Sequence, residues 1–180
     1  WSEGVRDRDC EGRQYYGRWA VRTVGVISDT HGLLRDEAIE ALYGSDLILH
    51  AGDVGPPEIL EQLSQIAPVF VVRGNTDHGA ASAAWPESEV VSLTGGVPGV
   101  LTYMLHDIGL LSLDPKAAGF SVVVYGHSHR PTMERREGVL YFNPGAAGHR
   151  RFALPVTVGR LTVTDDGTVT GEIIDLEVEG

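Results

Sequence analysis

A single cysteine, Cys10, stands among the 180 residues. Within this sequence that excludes an internal disulfide and a thiolate metal cluster, and it fits a reducing compartment. Long apolar runs are missing too: no stretch approaches the roughly 20 residues of a membrane-spanning helix, and no signal-peptide pattern is visible. The expectation is a cytoplasmic protein with no membrane partner. Positive charge is scarce, with 14 Lys and Arg against 25 Asp and Glu and a formal net charge of -11. Sequence-independent binding to nucleic acid needs a basic face, so none is expected. A site that handles phosphate would have to bring its positive charge locally. There is no internal repeat, low-complexity tract or linker, and the length suits one domain with its own core.

What the chain does have starts after residue 20. Residues 1–20 mix charges with Trp1, Tyr15, Tyr16 and Trp19 without a period and read as a mobile arm, which leaves residues 21–180 as the domain. V-R-T-V-G-V-I-S, from Val21, is a β-branched run of the kind a strand buried on both faces requires. R-D-E-A-I-E-A-L-Y-G then places Ala38, Ile39, Leu42 and Tyr43 on one helical face and stops at Gly44. After the strand D-L-I-L-H, a second helix carries the stripe Ile59, Leu60, Leu63 and Ile66 between Pro56-Pro57 and Pro68. V-F-V-V-R is a third strand, and this alternation predicts parallel strands with right-handed crossovers. The second half changes to hairpins: S-E-V-V-S-L and V-L-T-Y-M-L around Gly95-Gly96, then V-V-V-Y, T-M-E-R-R and V-L-Y-F-N, and a last pair around Asp165-Asp166-Gly167. Helices early and hairpins late suggest two sheets packed face to face with helices outside.

Five of these strands end in polar clusters: Asp29 and His31 in S-D-T-H-G, Asp53 in A-G-D, Asn75 and Asp77 in G-N-T-D, His106 in M-L-H-D, and His127 and His129 in G-H-S-H. Ligands of open α/β sheets bind beyond the carboxyl ends of the strands, so the clusters should converge. If the backbone stays extended at G-H-S-H, His127 and His129 project to the same side. Two Asp, one Asn and four His offer only oxygen and nitrogen donors, which suit Mn, Fe, Zn, Ni or Co. Seven side chains exceed one tetrahedral ion but serve two if a carboxylate bridges. Asp53, alone on its strand and central in chain order, is the candidate bridge. Two such ions can hold a hydroxide and clamp the oxygens of an in-line displacement at phosphorus. They would also leave a net positive pocket for a phosphate anion after Asp29, Asp53 and the hydroxide are counted.

The ordered set D-x-H, G-D, G-N-x-D, H and G-H-x-H resembles the calcineurin-like metallophosphoesterase superfamily, most closely its small single-domain YfcE-like phosphodiesterases of bacteria and archaea. The likeness runs over about residues 23–160. It implies an α/β fold, a four-layer αββα sandwich of two mixed sheets. It implies that Asp29, His31, Asp53 and His129 bind a first metal, and Asp53, Asn75, His106 and His127 a second. Asp53, Asn75 and His106 would be the catalytic centre. The implied cofactors are two divalent ions, Mn foremost, with Ni, Co, Fe or Zn as alternatives. The implied activity is a binuclear metal-dependent phosphoesterase, a phosphodiesterase before a monoesterase, acting on a small phosphoester. A homo-oligomer is compatible with it. The rival reading is a non-catalytic protein-interaction scaffold of the same fold.

Some positions depart from the family pattern or stay open. Thr76 stands where larger relatives carry a histidine that assists the leaving group, and His78 lies two residues further on. Asp107 follows His106 where relatives often have glycine, and it either modulates the second metal or faces solvent. His50 reads as a hydrogen-bonded core residue and Asp77 as a loop-fixing one. Arg150 and Arg151, after His149, offer a fork for phosphate or ordinary surface charge. Arg130, with Arg150 and Arg151, completes the candidate substrate contacts, and Arg73 adjoins a ligand motif.

Overall fold

The β-branched runs of the first half become the interior of a sheet, and everything else is arranged around that fact. The computed structural model describes residues 6–8, 14–16, 23–93, 99–151 and 153–178. Strands β3 (Thr23–Ile27), β4 (Leu47–His50) and β5 (Val69–Val71) lie parallel, while β11 (Thr157–Val163) runs antiparallel to β3 and pairs with β12 (Val169–Asp175). The order of this five-stranded sheet is β12-β11-β3-β4-β5. Helices α1 (Asp36–Leu42) and α2 (Glu58–Leu63) are the crossovers between its parallel strands.

The hairpins supply the second sheet. It contains β6 (Ser88–Ser92), β7 (Leu101–Leu105), β8 (Val122–Val124), β9 (Thr132–Arg136) and β10 (Val139–Asn143). Two short strands, β1 (Arg6–Arg8) and β2 (Gln14–Tyr16), extend it at the β6 edge, giving the order β1-β2-β6-β7-β8-β10-β9. Apart from β1 and β2, residues 1–20, where a mobile arm is expected, lie outside the described residues, as does the Gly95-Gly96 turn. β6 and β7 pair antiparallel as expected, but β7, β8 and β10 run parallel, so this sheet is mixed as well.

The sheets face each other across a core that includes Val26, Leu49, Phe70, Met104, Val124, Phe142 and Leu161. On the outer face of the five-stranded sheet, Ala38 and Leu42 of α1 and Ile59 and Leu63 of α2 bury against Ile27, Ile48 and Val158. The α2 stripe is as the periodicity predicts; in α1, Ala38 and Leu42 hold the core with Ala41 in place of the expected Ile39, and Tyr43 departs altogether. Tyr43 is 79% exposed, because α1 stops at Leu42 and Tyr43 adopts an extended ψ of 137°. Gly44 follows at φ +82°, the left-handed turn that ends the helix. The outer face of the seven-stranded sheet carries a thinner layer: Ile108 and Leu111, around a single 3-10 turn at Ile108–Leu110, pack on Leu105, Val123, Tyr125 and Tyr141.

Candidate metal centre

The carboxyl ends of β3, β4, β5, β7 and β8 open on one edge of the sandwich, and the seven candidate side chains meet there. The turns that carry them are strained. Asp29 (φ 54°), His31 (46°), Asp53 (54°), His127 (67°) and His129 (56°) all sit in the left-handed region, at about 1–2 kcal/mol each for non-glycine residues. Cross-loop hydrogen bonds hold them: Asp29 N–H donates to Gly52 O (3.0 Å), His31 N–H to Asp53 O (2.9 Å) and Gly126 N–H to His106 O (2.9 Å). Two glycines make the approach possible. A Cβ on Gly74 would lie 2.1 Å from Asp53 Oδ1, and one on Gly126 would lie 2.0 Å from Ser28 Oγ.

This backbone corrects the extended-strand argument for His127 and His129. Both residues are left-handed, and their rings serve different neighbours. His129 Nε2 is 3.2 Å from Asp29 Oδ1 and 3.2 Å from His31 Nε2. His127 Nδ1 is 2.9 Å from Asn75 Oδ1, whose other neighbour is His106 Nε2 at 3.0 Å. Asp53 stands between the two groups, with Oδ2 3.7 Å from His31 Nε2 and 3.5 Å from His106 Nε2. Its Oδ1 accepts the Thr76 N–H (2.8 Å). Asp29 Oδ2 is saturated by the Ser28 hydroxyl (2.6 Å) and the His127 N–H (3.1 Å). Its Oδ1 is buried and accepts no hydrogen bond.

The donor chemistry fits divalent cations. His106 Nδ1–H donates to Ala51 O (2.7 Å), so in the neutral ring Nε2 presents a lone pair to Asn75 Oδ1 and Asp53 Oδ2, which are themselves acceptors. Facing lone pairs of this kind call for a cation between them or, without an ion, a proton on Nε2. Ligand atoms of Asp29, His31 and His129, and of Asp29, Asp53 and His106, lie within 4.8 Å of one another.

The electrostatics of the ion-free cluster show the same crowding of acceptors. Burial opposes the Asp53 charge, but His106, once protonated at Nε2, and the Thr76 N–H donate to it and hold the carboxyl well below the usual range. Burial likewise disfavours charged His106, yet the Asp53 carboxylate and Ala51 carbonyl raise its pKa. His31 is lowered by burial, against the pull of Asp53 and Asp29.

The surrounding residues have separable roles. Asp77 accepts the N–H groups of Gly55 (3.0 Å) and Gly74 (2.9 Å), fixing the loops as the sequence suggests. His50 is fully buried, and burial pushes its pKa down to about 4. Gly52 N–H donates to its Nδ1 (3.3 Å), leaving Nε2–H for Thr30 Oγ1 (3.0 Å), whose hydroxyl donates to Val54 O (2.9 Å). That relay, which holds the residue between Asp29 and His31, is invisible in the sequence except for His50 itself. Asp107 is half-exposed at the edge of the donors: Oδ1 accepts the Gly109 N–H (2.8 Å) and Oδ2 is 3.9 Å from His127 Nε2.

Among the candidate substrate contacts, Arg151 reaches the cluster, its guanidinium 3.5 Å from His31 Nε2. Arg150 donates to Val178 O (2.9 Å), and Arg130 is exposed beside His129. Arg73 is bound to Glu87 at 2.6 Å. A cleft of about 710 Å³ that sequence reasoning did not anticipate opens from Asn75, His106 and His127, and His78 lies on its wall.

Two mixed sheets with convergent Asp, Asn and His turns define a metallophosphoesterase-type site. The chain belongs to the calcineurin-like phosphoesterase superfamily, whose domain matches residues 23–166. It is 35% identical to a probable metallophosphoesterase of Methanocaldococcus jannaschii over 91% of this chain and 92% of the relative. It is 29% identical to the phosphodiesterase YfcE of Escherichia coli K12, over 74% of this chain and 84% of YfcE. The fold is also similar to that of Vps29 from Entamoeba histolytica, solved with Zn²⁺, at a TM-score of 0.66 and 20% identity, covering 86% of this chain and 99% of that one.

Proposed function

We propose that the protein is a binuclear metal-dependent phosphodiesterase. The observation that carries this reading is the pair of acceptor clusters joined at Asp53: Asp29 Oδ1, a buried carboxylate oxygen without a donor, faces His31 and His129, while Asn75 Oδ1 faces His106 and His127. Asp29, His31, Asp53 and His129 would hold one ion, and Asp53, Asn75, His106 and His127 the other. Two divalent ions in such a site supply charge neutralisation of the phosphoryl oxygens and an activated water.

The chain's own residues set up that chemistry. The Thr76 N–H pins one Asp53 oxygen and leaves the other between the two clusters. The Ala51 carbonyl fixes the His106 tautomer, and the Ser28 hydroxyl and His127 N–H orient Asp29 so that one oxygen is left to coordinate. Arg151, beside His31, offers a guanidinium to a phosphoryl oxygen.

The test is reconstitution with Mn, Ni, Co, Fe or Zn in turn, with metal counted per chain and turnover followed on an aryl phosphodiester and the matching monoester. Two ions and diester hydrolysis are expected. Turnover confined to the monoester would make the protein a phosphomonoesterase, and two ions without turnover on a broad phosphoester panel would favour the scaffold reading.

A further inference from the structure

The two flanks of the donor cluster carry opposite charge. On the His31 side stands Arg151. On the other side the cleft beside Asn75, His106 and His127 has Tyr103, Leu105 and Leu110 in its wall. Arg73 is its one Arg or Lys among the described residues and is neutralised by Glu87 at 2.6 Å. Asp77 has both oxygens on backbone N–H groups. Asp107 differs from both. The Gly109 N–H holds it in place, Oδ2 points toward His127, and among the described residues no Lys or Arg lies within ion-pair distance of it.

We infer that Asp107 and this cleft select singly charged phosphoryl groups, so that the site favours phosphodiester monoanions over monoester dianions. The inference rests on the phosphoesterase reading above. In an in-line displacement three substituents of phosphorus lie around the equator. Two can face the donor cluster and Arg151; the third then faces the cleft. A diester fills that third position with an uncharged ester arm, which the apolar wall accepts. A monoester has a charged oxygen there, directed at a carboxylate that no Lys or Arg within ion-pair distance offsets among the described residues. A fixed like charge over several ångströms in a solvent-lined cleft is worth about fivefold in affinity.

The variant that tests this is Asp107→Asn, which keeps an Oδ1 acceptor for the Gly109 N–H and removes only the charge; Asp107→Ser serves as a second probe with a short acceptor. Each Mn²⁺-loaded protein is titrated calorimetrically at about pH 8 with inorganic phosphate, then the dianion, and with dimethyl phosphate, a monoanion. Phosphate should bind about fivefold more tightly to both variants while dimethyl phosphate changes less than about twofold, and the kcat/KM ratio of bis(p-nitrophenyl) phosphate to p-nitrophenyl phosphate should fall by the same factor. Equal shifts for the two anions, or none, overturn the selectivity alone. Loss of metal from Asp107→Asn would make Asp107 a ligand and also overturn it. A wild-type protein that takes up metal yet binds neither anion overturns the selectivity together with the reading beneath it.

Discussion

The two halves of the donor cluster differ in how they are held. Asp29 and His129 are buried, and His31 is largely so. They rest on crossed backbone hydrogen bonds from two other loops and on the His50–Thr30 relay below. Asn75 and His127 are exposed, His127 to the extent of 45% of its side chain, and they border the open cleft. The first half resembles a structural binding site and the second an entrance. The contrast implies that one ion would be retained and the other exchanged more readily, with Asp53 as the proposed bridge between them.

The strongest attack on that contrast is Asp53→Asn. The amide can still accept the Thr76 N–H at Oδ1, so the loop should keep its shape, but an NH₂ replaces the oxygen that faces His31 and His106. Activity should fall on the order of 10³-fold, more than for the same kind of change at any other donor. Turnover measured across the seven positions checks this, and a near-normal Asp53→Asn enzyme would remove the bridge and with it the idea of two coupled halves.

His50 shows how firmly the buried half is supported. Its folded pKa of about 4 lies below the ordinary histidine value of 6.5 because burial disfavours the charged ring. As pH falls the unfolded chain therefore takes up the proton first. Stability is complete above about pH 6.5 and declines as pH drops toward 4, by about 3 kcal/mol in total. In urea unfolding of the metal-free protein, His50→Gln should lose that part of the slope, with the groups common to both proteins cancelling in the difference. An unchanged slope would mean that His50 does not carry the depressed titration.

The histidines of G-H-S-H divide the halves most directly. His129→Ala removes a buried donor beside Asp29, and His127→Ala an exposed one beside Asn75. Anomalous scattering from Mn-soaked crystals should show occupancy falling at opposite ions, and metal affinity should drop on the order of 10²-fold for His129→Ala and about tenfold for His127→Ala. Loss at the same ion in both variants would end the division.

The sequence discloses the donors from their own pattern, but their grouping only through the family resemblance. Each stands at the end of an apolar run, a position that chain order and strand chemistry reveal, and the strands and helical stripes follow from the same patterns. The split between His127 and His129 depends on left-handed φ at both residues, which no side-chain periodicity encodes; an extended backbone was the simpler expectation, and it fails. Asp107 looked like a residue of either fate because its cap on the Gly109 N–H and its direction toward His127 arise only when the 3-10 turn after β7 folds over the outer sheet. The cleft likewise combines residues from 73 to 127 that share no motif. Tyr43 left its predicted stripe for a local reason, the early end of α1 before Gly44.

The smallest expected effect belongs to Thr76, which lies at the join of the two halves. Its N–H holds Asp53, and its hydroxyl is 3.5 Å from His31 Nδ1, so the side chain faces the buried half rather than the cleft. A departing alkoxide has to be protonated, and a positioned general acid contributes roughly 10²–10⁴-fold. A threonine hydroxyl is far too weak an acid for that at neutral pH. The rate should therefore depend steeply on leaving-group pKa, with aryl esters favoured over alkyl esters. Thr76→His retains the backbone N–H and introduces a protonatable ring at the same position, so it should flatten the dependence and raise alkyl-ester turnover by about tenfold, short of the range of a positioned acid because the new ring is not preorganised. The measurement is kcat/KM over a series of phosphodiesters with graded leaving groups, in both proteins. A flat series in the wild type, under conditions where chemistry limits the rate, would mean that another group already supplies the proton; His78 on the cleft wall is then the residue to replace, and the exposed half would hold the acid as well as the entrance.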